Sequence, residues 1–130
     1  VLEWAAARNL RVRWGSRSSA GSYAVVLELG NLSFWLLTVW AIGTIEVQFA
    51  MMLAQPPFAD IERRRDLANR LSLIQGVRID ESGLAGRPPI PLASLREQND
   101  WGLFTNAMDG ALDEIRVFFQ PTDERQDAAN

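Results

Sequence analysis

Two hydrophobic periods, one near two residues and one near 3.6, divide this chain into elements. Leu2 to Leu10 turns Leu2, Ala5, Ala6 and Leu10 to one side and Glu3 and Arg8 to the other, as the end of a helix does. Arg11-Val12-Arg13-Trp14 alternates polar with apolar, which predicts a half-buried strand. Gly15 to Ser22 is a loop by composition. Tyr23 to Leu29 predicts a second strand, with Tyr23, Val25, Leu27 and Leu29 on one face and Val26 and Glu28 on the other. Gly30-Asn31 then supplies the two residues of a tight hairpin.

Leu32 to Trp40 reads as a third strand, apolar on both faces, so it needs cover from both sides or from a partner chain. On a regular strand Trp35 and Trp40 fall on opposite faces. Ala41-Ile42-Gly43 turns the chain, and Thr44 to Phe49 forms a fourth strand with Ile45, Val47 and Phe49 alternating against Thr44, Glu46 and Gln48. Pro56-Pro57 closes this region. Asp60 caps a helix predicted to reach about Ile74, with Ile61, Leu67, Ala68, Leu71 and Ile74 inward and Arg63, Arg64 and Arg70 outward; Gly76 stands at its C-cap. Val77 to Pro91 is a proline- and glycine-rich connection, and Ser94 with Glu97 has the spacing of a capping box. The last helix, begun at Asn99 or Asp100, carries a stripe of Trp101, Phe104, Met108, Leu112, Ile115 and Phe119.

The expected fold is therefore α+β: one domain over residues 1–120, a four-stranded antiparallel meander with an N-terminal helix and two C-terminal helices packed on one face. Residues 121–130 form a polar tail. The uncharged run Leu29 to Ile45 is 17 residues long, short of a membrane span, and meets Glu46 at once; buried strands account for it better. We expect no membrane association. The first residues already read as mid-helix, so we expect further chain upstream of Val1.

Composition narrows the chemistry. The chain has 13 basic residues, all arginine, and neither histidine nor cysteine. It therefore offers no imidazole base, no thiolate, none of the common zinc ligands and no lysine for a Schiff base or a Walker-type phosphate loop. The lack of cysteine suits a cytoplasmic protein. Net charge is −3, and residues 97–130 alone carry −6, which opposes general nucleic-acid affinity but leaves room for a basic face.

Three sets of residues stand out as candidate sites. Arg11 and Arg13 share a strand face and, with Trp14 and Arg17 nearby, suit a ligand-binding surface for phosphate or a stacked base. Glu28, Glu46 and Gln48 put two acids and an amide on neighbouring strands, a set that equally suits a solvated strand face. Five tryptophans, Trp4, Trp14, Trp35, Trp40 and Trp101, fill a core or mark a partner surface.

The strand pair bearing Glu28 and Glu46-Val47-Gln48 resembles that of restriction-type nucleases, in which an acid and a (D/E)-x-K triplet hold magnesium beside the scissile phosphate. The resemblance implies Glu28 and Glu46 as metal ligands, Gln48 in place of the lysine, and Glu3 as accessory acid. Over nearly the whole chain, Trp14-Gly15, Gly21-Ser22, Gly43-Thr44-Ile45-Glu46-Val47-Gln48-Phe49, Pro56-Pro57-Phe58 and Arg87-Pro88-Pro89-Ile90-Pro91-Leu92 resemble a family of small uncharacterised bacterial proteins. That resemblance implies a bacterial protein found alone or as the tail of longer chains, and it implies no activity. It departs at Ile42-Gly43, where Asn-Gly is expected. The functional expectation is a non-enzymatic interaction module that binds a protein partner or itself, without catalytic residues, metal or cofactor. The alternative is a divergent or inactive nuclease-like domain that binds nucleic acid, with magnesium at Glu28 and Glu46.

Overall fold

A computed structural model describes residues 1–15 and 21–120. The predicted position of Arg17 and the polar tail at 121–130 lie outside these residues. Helix α1 (Leu2–Ala7) leads into five strands, β1 (Arg11–Trp14), β2 (Ser22–Leu29), β3 (Leu32–Trp40), β4 (Thr44–Val47) and β5 (Pro89–Pro91). Between β4 and β5 lie α2 (Phe49–Met52) and α3 (Ile61–Leu71), and α4 (Gln98–Phe118) closes the described chain. The protein is α+β, and its sheet is antiparallel throughout in the order β1-β2-β3-β4-β5.

The sheet thus has five strands where four were expected. The fifth comes from the proline-rich connection, because proline is excluded from a strand only where its missing N–H would be needed. Val47 N donates to Pro88 O at 3.0 Å and Leu92 N to Gly43 O at 2.9 Å, with Ile45 opposite Ile90 between them. Pro88, Ile90 and Leu92 therefore turn their backbone groups toward β4, while Pro89 and Pro91 face the open edge. Strand β4 ends two residues early, at Val47, because Phe49 begins α2. Gln48 N then reaches Leu36 O at 2.9 Å and the Gln55 side chain reaches Ser33 O at 2.8 Å. These contacts cover the length of β3 that β4 leaves unpaired.

The core lies on one face of the sheet. Val25, Leu27, Phe34, Val39, Ile45, Val47 and Ile90 meet Trp4 and Ala5 of α1, Leu67 and Leu71 of α3, and Phe104, Met108, Leu112 and Ile115 of α4 in one buried cluster. Burying each large side chain contributes about 1.5–3 kcal/mol, and this layer fixes which way the sheet faces. The hairpin between β2 and β3 turns on Gly30 at φ +59°, and α3 is followed by Gly76 at φ +87°, both in the left-handed region open to glycine.

Helix starts differ from expectation in detail. Asp60 caps α3 by accepting from Glu62 N at 2.9 Å, as predicted, but the helix stops at Leu71. Helix α4 begins at Gln98 with Glu97 as its N-cap, and Ser94 belongs to a separate 3-10 turn at Leu92–Leu95, so no capping box forms. Ile61 is exposed and Arg64 is buried, the reverse of the expected pattern. Among the described residues no helix is long and apolar enough to cross a membrane, and the apolar run from Leu29 to Ile45 lies in β2, β3 and β4.

Helix α1 is fastened to α4 through Asp109. Its carboxylate accepts from Arg8 Nε at 2.7 Å, Arg8 Nη2 at 2.8 Å and Trp4 Nε1 at 3.0 Å. These donors, the Arg8 guanidinium first, hold the Asp109 carboxyl below its ordinary range. A depressed carboxyl stabilises the fold above its unfolded value, near about pH 4, and loses that contribution as pH falls through the folded value. We therefore expect Asp109→Asn to lower Tm at pH 7, and the gap from the parent protein to narrow in melts taken below about pH 4.

Candidate functional site

The face of the sheet opposite the helices carries the candidate site, and an irregularity in β3 creates it. Val25 pairs with Leu37, but Val26 pairs with Trp35, so Leu36 is an extra residue in β3. Such a bulge resets the alternation of side chains. Leu36 and Leu37 are both fully buried, and Trp35, Thr38 and Trp40 all turn to the outer face. The expected opposition of the two tryptophans is thereby corrected: they stand on one face, with Thr38 between them.

Around them is a depression of about 440 Å³ lined by Trp35, Thr38, Trp40, Glu46, Gln48, Met51 and Arg87. Glu46 sits opposite Thr38 in the β3–β4 register, and its Oε1 accepts from Trp40 Nε1 at 2.8 Å. The Gln48 side chain forms part of the floor. Only 5% exposed, it donates through Nε2 to Thr38 Oγ1 at 2.8 Å and accepts at Oε1 from Arg87 Nε at 3.1 Å. A buried amide with both ends engaged has a single orientation. Met51 of α2 forms part of the rim.

The other half of this face covers itself. Arg11 and Trp35 stand opposite Val26 from either side and help to bury it completely. The Arg13 guanidinium lies 5.8 Å from the centre of the Trp35 ring and donates to Glu28 Oε1 at 2.9 Å. Arg11 lies 3.7 Å from the same oxygen. Here the cation lies over the aromatic ring and a carboxylate balances the arginines.

Several predicted site residues are therefore separated. Arg11 and Arg13 share the outer face as expected, but Trp14 pairs with Tyr23 on the other side of the sheet. Its ring, 69% exposed, packs 5.1 Å from that of Tyr23, whose hydroxyl is pushed to higher pKa by burial. Glu28 stands opposite Ser33, and Glu46 opposite Thr38 on the far side of β3. The two carboxylates are thus two strand spacings apart, about 10 Å, and offset by roughly 13 Å along the sheet. One ion at 2.0–2.6 Å from each ligand, the range of magnesium and calcium, does not bridge that distance. Glu3 is exposed on α1, in the helical layer beyond the opposite face. Among the described residues no three acids are grouped to hold a metal ion.

No protein-family model, no curated protein and no solved structure matches this chain. Its site is read from its own chemistry. Two indoles, a thioether, a guanidinium and a carboxylate surround a fixed amide, and the set contains no imidazole, amine or thiol. The arrangement suits binding. Thr38, Met51 and Arg87 were not singled out in the sequence. Arg87 had one local cue, its position before three prolines in five residues.

Proposed function

We propose that this protein is a binding module that docks a protein partner on the outer face of its sheet, through the depression between Trp35 and Trp40. The observation that carries this reading is the bulge at Leu36, which puts both indoles together on the face of the sheet opposite the core. Tryptophan, methionine and arginine are the side chains enriched where proteins bind one another, and a few desolvated tryptophans or arginines supply most of the energy. The residues support recognition and offer no nucleophile activated by a base. A cytoplasmic protein acting through such contacts is consistent with a chain free of cysteine.

Selection from a random peptide library on the immobilised full chain, followed by anisotropy titration of synthetic peptides, tests this reading. Peptides selected on the parent protein should lose about 100-fold in affinity for the Trp35→Ala, Trp40→Ala double variant. Circular dichroism and Tm establish that the variant is folded, and the Trp→Phe pair, which keeps aromatic rings, should retain part of the affinity. A selection that yields no peptides, or peptides indifferent to both tryptophans, overturns the proposal.

A further inference from the structure

We propose that the depression reads a carboxylate: it takes an extended acidic segment of a partner, with an Asp or Glu held by Arg87 and a neighbouring apolar or aromatic side chain lodged between Trp35 and Trp40. This rests on the docking reading above and adds the chemistry of the occupant. The central residue is Arg87. Its Nε donates to Gln48 Oε1 at 3.1 Å, and Gln48 is itself buried and held by Thr38 Oγ1 at 2.8 Å. The guanidinium is thereby oriented from beneath by a side chain bonded at both ends.

A guanidinium has five N–H donors, and this contact uses one. Among the described residues no carboxylate lies within ion-pair distance of Arg87, in contrast to Arg8, Arg11, Arg13, Arg63, Arg65 and Arg70, each of which has an acidic partner. An oriented, uncompensated guanidinium fork beside two indoles matches a planar carboxylate, which it engages with two parallel hydrogen bonds. Preorganisation lowers the entropic cost of that engagement.

The remaining groups set the rest of the occupant. Glu46 Oε1 is engaged by Trp40, and its carboxylate favours N–H donors, such as the backbone of an extended segment. The depression thus presents a donor fork at Arg87 and an acceptor at Glu46. A peptide with one acidic side chain meets both. A phosphate chain meets only the first and brings a charge at every unit against Glu46 and a net charge of −3, where such a peptide brings one.

Three measurements on the full chain decide the point, using the peptides selected as above. The selected sequences should be enriched in Asp or Glu within two positions of an aromatic or large aliphatic residue. Arg87→Gln should weaken them at least tenfold, and replacing the peptide's acid by its amide should cost the parent protein as much while costing Arg87→Gln almost nothing. Arg87→Lys, which keeps the charge and loses the fork, should recover only part of the affinity. Two results overturn the inference. In one, selected peptides depend on Trp35 and Trp40 but not on Arg87, which leaves the docking reading standing. In the other, a dT12 oligonucleotide binds saturably, requires Arg87 and displaces the peptides, making phosphate the group that is read.

Discussion

Replacing Arg64 with alanine is expected to cost the fold about 3–5 kcal/mol, a fall of roughly 10–20 °C in Tm for a domain of this size. Arg64 is 7% exposed and among the described residues has no acidic partner; its charge is met by backbone carbonyls. Nε donates to Leu84 O at 2.8 Å, and Nη1 donates to Phe58 O at 2.8 Å and Ala59 O at 3.0 Å. One side chain on α3 therefore ties together the turn that precedes that helix and the 3-10 turn at Glu81–Ala85. Truncation leaves buried carbonyls without donors and a cavity in place of the stem. Lysine in its place keeps the charge, but one compact ammonium does not span carbonyls of two turns, so Arg64→Lys should recover less than half of the loss. Urea or thermal unfolding of both variants measures this, and a loss under about 1 kcal/mol for alanine would contradict the bonding described. Its neighbour Arg65, which pairs with Glu62 and Glu81 at the surface, should tolerate alanine with little change in Tm.

The second large effect is expected at Phe104. Its ring is fully buried where α4 meets α1, with centroids 6.2 Å from Trp4 and 5.6 Å from Trp101. Phe104→Ala removes the middle member of this aromatic series and should cost about 3–5 kcal/mol, with Phe104→Leu losing less because it refills most of the volume. Trp4 and Trp101 would then face a void, and a shift of intrinsic fluorescence to longer wavelength should accompany the lower Tm. An alanine variant that melts within a degree or two of the parent would show that α1 is not held by this contact.

What was legible in the sequence follows from which physical signal each element carries. Strand β4 and the stripe along α4 were readable because one face of each is buried, so hydrophobicity repeats at the period of the backbone, and β2 and β3 because turn residues bound an apolar run. Strand β5 was not, because Pro89 and Pro91 mark turns unless the outward direction of their nitrogens is known. The bulge was invisible for a different reason. In Leu32–Trp40 both faces are apolar or aromatic, so one inserted residue leaves no break in the pattern, yet it decides where two tryptophans point.

The candidate site was legible only in part. Glu46 and Gln48 were singled out together and do line one depression, but their partners Thr38 and Arg87 come from other strands and from a segment read as loop. Arg64 did carry a cue. It falls three, four and seven positions before Leu67, Ala68 and Leu71, on the buried stripe of α3, and was read outward because arginine is rarely buried unless satisfied. The satisfying carbonyls lie 5, 6 and 20 residues away, beyond what helix periodicity encodes.

The prolines of β5 have a consequence for how molecules of this protein meet. Each sheet ends in two unlike borders. On β1, Gly15 N donates to Ser22 O at 2.8 Å, so the ladder turns the N–H and C=O of Val12 and Trp14 away from β2. On β5, the outward positions are Pro89 and Pro91, which have no N–H to give. Growth of a continuous sheet through many molecules requires every copy to be receptive on both borders. A contact of β1 on β5 therefore makes only the bonds that β1 donates, half of a ladder, whereas two β1 borders can exchange a full set and close a pair. The two prolines thus favour a closed pair over a ribbon of many copies.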